Sequence, residues 1–449
     1  MPLLPFLASC LAAVPSAASP AAQPATVTFD PAAVARLTEG DALPASFDAV
    51  GGRGLRVVAR SSMAGAPAND VHLMLEHPTF PARHASLLLR DGRLTGAIAL
   101  DGALRVALSG VAAGVSTRRL EDDNRDLPCG FDGSLSRPDQ TAREDARRNG
   151  NGNGDGGVAG GCDDGSRADV FVIYTDAAVA QAGGETQMAD WINWAIADSN
   201  AIYASTGIGL TMRLVGTSRA TGYIEDAASM ANDLYALRDP ADGKLDQALP
   251  LRNATAADFV ALVRADGGGA CGIAWLLGTD PASEGYAYSV TALGCFTNRT
   301  FTHELGHNMG CCHAPGDGGG CTSGGVFPYS VGHRFNGVSG TQYRTVMAYA
   351  PGTRIPRFSS ASVVYDGSPT GLADRDNAAS INITRLSFAN FRCDLCPGDV
   401  NGDNVRDGAD LAAVLGNWGT TAPATDLNAD GTTNAADLSV LLGNWGACP

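Results

Sequence analysis

Residues 303–313 read His-Glu-Leu-Gly-His-Asn-Met-Gly-Cys-Cys-His, and this stretch decides most of what the sequence implies. On a helix, His303 and His307 are four residues apart, so their imidazoles lie on one face and can hold one metal ion. Gly310 favours an abrupt helix end because glycine accepts a positive φ, and the turn returns His313 as a third ligand. Three protein ligands leave the fourth position of a zinc ion open, which is typical of a catalytic site.

Glu304 lies one position around the helix from His303. It can reach a water on the metal without binding the metal itself, which predicts a general base. The alternative is a surface helix that carries histidines by chance. The chain has only seven histidines, however, and three of them fall in this stretch. We therefore predict one catalytic zinc ion held by His303, His307 and His313.

The stretch has the form HExxHxxGxxH and resembles the metzincin metallopeptidases. Those enzymes carry a methionine turn beneath the zinc, and Thr-Val-Met-Ala-Tyr at 345–349 fits it. The resemblance implies that Met347 forms an apolar floor under the imidazoles. It also implies that the Tyr349 hydroxyl helps to stabilise the oxyanion, although Tyr349 as a packed core aromatic is an equal alternative.

Residues 166–392 are predicted to form the catalytic domain, which is α+β, and the resemblance implies a twisted mixed sheet together with the zinc helix. Strands are expected at 169–174, 210–215, 258–264 and 286–293, and helices at 187–204 and 377–390. In metzincins an edge strand just before the zinc helix pairs with the peptide substrate. The resemblance therefore implies this role for 286–293.

Within the metzincins, residues 169–392 most resemble secreted bacterial reprolysin-like enzymes, including peptidyl-Asp metallopeptidases. Besides the zinc stretch and the methionine turn, Arg-Ile-Pro-Arg-Phe-Ser at 354–359 carries this resemblance. In this family the segment after the methionine turn lines the S1′ pocket. The guanidinium of Arg354, or else of Arg357, is therefore expected to bind an acidic side chain of the substrate. The alternative is that both arginines are solvated or pair with acids such as Asp366, leaving an apolar pocket.

Residues 27–131 are predicted to be a β-rich, propeptide-like domain, with strands at 86–90, 93–100 and 103–108 joined by Asp-Gly turns. The alternative is a β-rich accessory domain. Near its end, Cys129 stands between proline and glycine, where its thiolate would fill the open zinc position as in cysteine-switch zymogens. A disulfide of Cys129 with Cys162 or another cysteine is the competing interpretation.

Residues 132–165 form a Gly-rich linker, and the basic pair Arg147-Arg148 within it is a candidate maturation site. Residues 1–18 are predicted to be a signal peptide, so the protein is expected to be secreted. The competing interpretation at Cys10 is lipidation. No other segment is long and apolar enough to span a bilayer.

The 449 residues imply two or three domains, and the net charge of −16 argues against nucleic acid and anionic membrane surfaces as partners. Eleven cysteines include Cys10, which leaves ten in the exported chain. An even number fits disulfides in an oxidising compartment. Cys311 and Cys312 are adjacent and are expected to pair elsewhere, with candidates at Cys321, Cys295 and Cys271.

Residues 396–449 contain a repeat at a spacing of 27, in which oxygen side chains recur at loop positions 1, 3, 5, 9 and 12. With a backbone carbonyl at position 7, this is EF-hand-type spacing and predicts two calcium ions. The ligand set is Asp399, Asn401, Asp403, Val405, Asp407 and Asp410, then Asp426, Asn428, Asp430, Thr432, Asn434 and Asp437. The alternative is two turns without an ion.

Each loop leads into one short helix, so the module is expected to be small and all-α, and it resembles a type I dockerin. Cellulosomal dockerins carry a Ser/Thr pair at positions 10 and 11. Here the pairs are Gly408-Ala409 and Ala435-Ala436. The resemblance therefore implies calcium binding and a surface or scaffold partner, but it does not extend to docking on a cohesin.

Together these features predict a secreted zinc-dependent endopeptidase that acts on polypeptides, with a calcium-stabilised attachment module. The rival is a non-catalytic, calcium-dependent surface or adhesion protein on a metzincin scaffold. Glu304 distinguishes them, because an inactive scaffold has no need of a general base beside an open zinc site.

Overall fold

The computed structural model describes most of the chain, namely residues 26–62, 70–100, 104–111, 114–121, 165–265, 269–279, 281–318, 324–392, 398–401, 405–420, 422, 425, 427 and 432–447. Several predictions lie outside the described residues: the signal peptide, nearly all of the linker, Cys129, Cys162, Arg147-Arg148, and the loop residues Asp403, Asp426, Asn428 and Asp430.

The N-terminal part is a seven-stranded antiparallel sheet in the order β1-β7-β6-β5-β4-β3-β2. Its strands are β1 (Thr26–Val27), β2 (Arg56–Ser62), β3 (Val71–Glu76), β4 (His84–Arg90), β5 (Arg93–Ala99), β6 (Leu104–Val111) and β7 (Gly114–Glu121). The strands predicted at 86–90, 93–100 and 103–108 correspond to β4, β5 and β6. We call this part the N-terminal sheet.

The two faces of the N-terminal sheet are both apolar. One face packs on helix α1 (Pro31–Ala35) and a 3₁₀ helix (Ala45–Val50), around Phe47, Leu55 and Leu87. The other face contributes Leu88 to the core of the following domain. Side chains alternate between faces along a strand, so consecutive leucines serve two different cores.

Residues 165–392, which we call the five-stranded domain, are built on a five-stranded sheet in the order β11-β12-β10-β8-β9. Its strands are β8 (Arg167–Thr175), β9 (Thr211–Ala220), β10 (Phe259–Arg264), β11 (Gly272–Ala274) and β12 (Tyr288–Ala292). Four strands run parallel and β11 is antiparallel to β12.

The edge role expected for 286–293 is therefore wrong. β12 lies between β10 and β11, and the edge strand is β11, whose three residues are too few to show a periodic pattern in the sequence.

Helices cover this sheet and carry the site. They are α2 (Asp176–Ala182), α3 (Glu185–Ser205), α4 (Met230–Arg238), α5 (Ala248–Ala254), α6 (Thr300–Asn308) and α7 (Asn377–Phe388), with 3₁₀ helices at Pro281–Tyr286 and Leu293–Asn298. The helices expected at 187–204 and 377–390 are α3 and α7. In the described part of the chain, no helix has both the length and the apolar character needed to cross a membrane.

After α6 the chain has little regular structure. It forms β13 (Arg334–Asn336), β14 (Gln342–Arg344) and β15 (Thr353–Arg354) in one small sheet, and β16 (Val364–Tyr365) with β17 (Ser368–Pro369) in another. The C-terminal module contains β18 (Val405–Arg406), α8 (Gly408–Gly416), α9 (Ala435–Gly443) and β19 (Gly446–Ala447).

Cysteine pairing departs from expectation. Cys271 and Cys295 bond each other, which joins the start of β11 to the 3₁₀ helix before α6. Cys311 is a buried free thiol, so the pairing expected for it is wrong, whereas Cys312 is disulfide-bonded. Which cysteines bond each other depends on where β11 folds back along β12, and the sequence does not reveal this contact between distant residues.

Candidate active site

Helix α6 presents the histidines, and its ends are set by two residues with positive φ. Arg299 precedes the helix at φ 61°, and its carbonyl accepts the first bond from the His303 amide. Gly310 ends the helix at φ 78°, where a Cβ would lie 2.8 Å from a carbon of Val326. The sharp exit that glycine allows returns the chain towards the helix and brings His313 to the other two histidines.

The three predicted zinc ligands converge. The Nε2 atom of His313 lies 3.2 Å from that of His303 and 3.0 Å from that of His307. All three side chains are buried, at most 2% exposed. Nitrogens about 2.0–2.1 Å from a tetrahedral zinc ion lie roughly 3.3 Å from one another, so the observed spacing suits this ion.

Backbone carbonyls fix which ring nitrogen carries the proton. The Nδ1 atoms of His303, His307 and His313 contact the carbonyl oxygens of Val346 (2.8 Å), Cys311 (2.7 Å) and Gly318 (3.2 Å). A carbonyl only accepts, so each Nδ1 donates and each Nε2 of a neutral ring carries a lone pair. Three lone pairs that face one another require a cation between them, so the donor set fits zinc.

Burial keeps these rings neutral. It lowers the pKa of His303 and His307 well below the usual value, with further lowering from the neighbouring histidines. Burial also lowers the pKa of His313 to about 4. Neutral imidazole is the form that binds a metal. The cluster is therefore ready to bind zinc at neutral pH.

The methionine turn lies beneath α6 as the resemblance implied. Met347 is fully buried, and a Cβ on Gly306 would lie 2.5 Å from the Met347 sulfur. Gly306 thus lets the helix rest directly on the thioether. The preceding residue, Val346, supplies the carbonyl that orients His303.

Glu304 is fully buried on the side of α6 that faces β11. A Cβ on Gly272 would lie 2.7 Å from Cγ and Cδ of Glu304, so only glycine fits where the edge strand passes this carboxylate. The sequence reasoning missed Gly272. The sequence does carry a signal for this glycine, because Gly272 lies between a cysteine and the apolar Ile273, 31 positions before His303.

Tyr349 lies beside the histidines, with its ring centroid 4.2 Å from that of His313 and 6.1 Å from that of His303. Its backbone amide donates to Asp317 at 2.9 Å, and Asp317 also pairs with Arg334. The Arg334–Asp317 pair, which the sequence reasoning missed, fixes the backbone that carries Tyr349.

The two candidate specificity arginines have different surroundings. Arg354 is 4% exposed, and its guanidinium donates to the carbonyls of Asn298 (2.7 Å) and Ala348 (3.1 Å). Within the described residues no carboxylate lies at ion-pair distance from it. Arg357 instead pairs with Glu76 of the N-terminal sheet at 3.0 Å.

Four of the described candidates for calcium ligands lie at the starts of α8 and α9. Asp407 and Asn434 cap these helices, and Asp410 and Asp437 close the capping boxes from the first turn. Asp399, Asn401, Val405 and Thr432 lie in the described parts of the two loops. The structure thus shows a repeated loop-to-helix arrangement, and the ion itself stays a prediction.

Three ring nitrogens around a cation site, with an adjacent carboxylate, define a metallopeptidase-type centre. Residues 164–359 match the model of the family Reprolysin_5, metallo-peptidase family M12. A peptidyl-Asp metalloendopeptidase of Stenotrophomonas maltophilia is 32% identical over 228 residues, 50% of this chain and 52% of that protein. One of Xanthomonas campestris is 31% identical over 228 residues, 50% of this chain and 51% of that protein.

The chain thus spans about half the length of the curated relatives it matches. Among solved structures, metalloproteinase-II from Bacteroides fragilis aligns with 67% of this chain and 84% of that chain. That alignment has 12% sequence identity and a TM-score of 0.34.

Proposed function

We propose that this protein is a secreted zinc-dependent endopeptidase. The observation that carries the proposal is the convergence of three histidine Nε2 atoms beside the buried Glu304. The Nε2 atoms of His303 and His307 both lie within 3.2 Å of the Nε2 atom of His313. The names of the relatives, peptidyl-Asp metalloendopeptidases, support the same reaction.

His303, His307 and His313 would hold a zinc ion, which would supply a Lewis acid for the scissile carbonyl and for water. Glu304 takes the proton from the attacking water and delivers it to the leaving amine. The Tyr349 hydroxyl donates a hydrogen bond to the oxyanion. The outer edge of β11, which pairs with no other strand among the described residues, receives the extended substrate as an added strand, and this aligns the scissile bond with Glu304.

The substrate preference that we propose is an acidic residue on the carboxyl side of the scissile bond. Arg354 supports it, because a buried guanidinium without a carboxylate partner in the described residues is costly unless a ligand supplies the anion. Arg357 is less suited to this role because Glu76 already pairs with it. Asp366 pairs with neither arginine and accepts hydrogen bonds from Ser339 and Tyr343.

Two further parts complete the proposal. The C-terminal module binds two calcium ions in its Asp-rich loops and attaches the enzyme to a surface or scaffold protein. The N-terminal sheet is the folded part of a propeptide, and Cys129 or a disulfide at that residue governs latency.

The test is a peptide-library digest by parent and Glu304→Gln protein, with and without a chelator. Parent protein should cleave and lose activity with the chelator, whereas Glu304→Gln should keep zinc and lose most cleavage, on the order of 10²–10⁴-fold. Cleavage by Glu304→Gln at the parent rate would reject the mechanism. A parent that binds zinc and cleaves nothing would favour the non-catalytic adhesion alternative.

A further inference from the structure

The N-terminal sheet and the five-stranded domain share one apolar core. Leu88, Ala97 and Ala107, on the second face of the N-terminal sheet, belong to the same buried cluster as Trp191 and Trp194 of α3. Helix α3 therefore lies between two sheets. Burial of large aromatic side chains between domains is typical of a permanent interface rather than a transient one.

Polar contacts in this interface are buried as well. The Asp190 carboxylate, 2% exposed, accepts from Arg93 Nε at 2.7 Å and from Arg90 Nη1 at 3.1 Å. Trp194, 1% exposed, donates its indole N–H to the Ser86 carbonyl at 3.0 Å. The ion-pair partners of Asp190 thus come from the N-terminal sheet, and a charge-assisted pair of this kind slows dissociation.

A second group of contacts reaches the segment behind the methionine turn. Glu76 pairs with Arg357, and the Tyr365 hydroxyl donates to the Pro81 carbonyl at 2.5 Å. The Arg357 carbonyl accepts from the Val346 amide at 2.9 Å, and Val346 in turn orients His303. The N-terminal sheet thus supports the backbone that holds a metal ligand.

We propose that the N-terminal sheet remains bound to the five-stranded domain, anchored at Asp190, after the chain is cut between residues 122 and 164. It is then a resident, non-covalent subunit of the mature protein rather than a released segment. This proposal goes beyond the proposed function and does not depend on catalysis.

The experiment uses the full chain with Glu304→Gln, which prevents self-digestion, and with residues 149–157 replaced by the recognition sequence of a site-specific protease. Complete cutting is verified on a denaturing gel. Size-exclusion chromatography without denaturant should then give both fragments in one peak at the elution volume of uncut protein. Two separate peaks would overturn the proposal.

A matched pair of variants tests the anchor. In the cut protein, Asp190→Asn keeps the shape but removes the charge between two arginines, and the fragments should dissociate about tenfold faster or more. Asp48→Asn loses only a pair with Arg53, whose side chain is 79% exposed, and should dissociate like the parent. Equal dissociation rates for Asp190→Asn and Asp48→Asn would refute Asp190 as the anchor.

Discussion

Gly272 of the edge strand lies against the side chain of Glu304, so close that a Cβ at this position would be 2.7 Å from the carboxylate carbon. The Cys271–Cys295 disulfide ties the adjacent residue to the 3₁₀ helix that precedes α6. The edge strand is therefore fixed against the proposed general base. If the substrate adds to this strand as proposed, the same contact sets the position of the substrate backbone and the position of Glu304.

The first prediction follows from this contact. Gly272→Ala should displace Glu304 or the edge strand and lower kcat/KM by roughly 10²-fold, because a misplacement of about 1 Å has that effect. Zinc content should stay at the parent level, since none of the histidines is touched. Gly285→Ala is the control, because nothing lies within 4 Å of a Cβ there. Parent-like kinetics for Gly272→Ala would show that Glu304 does not need its present position.

The second prediction separates the two roles considered for Tyr349. Tyr349→Phe keeps the ring that packs against His313 at an interplanar angle of 39° and removes only the hydroxyl. If the hydroxyl stabilises the oxyanion, kcat should fall by about 10²-fold while KM changes little, as for loss of one oxyanion donor. Steady-state kinetics on one peptide, with zinc content measured alongside, make the test. An unchanged kcat would assign Tyr349 to packing alone.

The sequence predicted the convergence of the three histidines because the signals for it are local. The zinc ligands and Glu304 fall within eleven residues, and the i, i+4 spacing of His303 and His307 is sufficient to place two ligands on one face. The strands of the parallel sheet and helix α3 were also predictable, since each carries a run of apolar residues at the period of its structure.

The features that the sequence did not predict have a different physical origin, because each of them depends on contacts between residues far apart in the chain. β11 is too short for a periodic signal, and its pairing with β12 also decides the Cys271–Cys295 bond. Trp191 and Trp194 of α3 share a buried cluster with residues of the N-terminal sheet, a contact between distant parts of the chain that leaves no local signal in the sequence.

The third prediction concerns acid stability and rests on His72, which is buried in the interface and hydrogen-bonded to Ser86 at 2.8 Å. Burial lowers the pKa of His72 to about 4. The folded protein therefore disfavours the proton that the unfolded chain binds near pH 6.5, so stability is present above pH 6.5 and lost as the pH falls towards 4.

At pH 4 this loss amounts to roughly 3 kcal/mol from His72. His72→Gln removes the titration, so urea unfolding at pH 7.5 and pH 4.5 should show a smaller pH dependence for the variant than for the parent. An identical pH dependence of the two proteins would contradict the assignment.

The fourth prediction concerns calcium. The full chain should bind two calcium ions by calorimetry, and a chain that ends at Arg392 should bind none and still cleave peptides. Asp410→Ala removes the carboxylate at position 12 of the first loop, which also accepts the amides of Val400 and Asn401, and should leave one ion per chain. Equal calcium uptake by full and shortened chains would place the ions elsewhere.

The fifth prediction concerns specificity and compares Arg354 with Arg357. Arg354→Ala should lower kcat/KM for cleavage before Asp by about 10–100-fold, because the substrate carboxylate loses a charge-assisted partner. Cleavage before Leu should be much less affected. Arg357→Ala is the matched control, since its guanidinium already pairs with Glu76 and it should keep the preference for Asp.

The measurement is a competition between two peptides that differ only in the residue after the scissile bond. Arg354 also donates to the carbonyls of Asn298 and Ala348, so a general loss of structure would lower both rates together. A selective loss for the Asp peptide therefore distinguishes recognition from damage. A parent enzyme that prefers the Leu peptide would reject Arg354 as a carboxylate receptor and favour the apolar pocket.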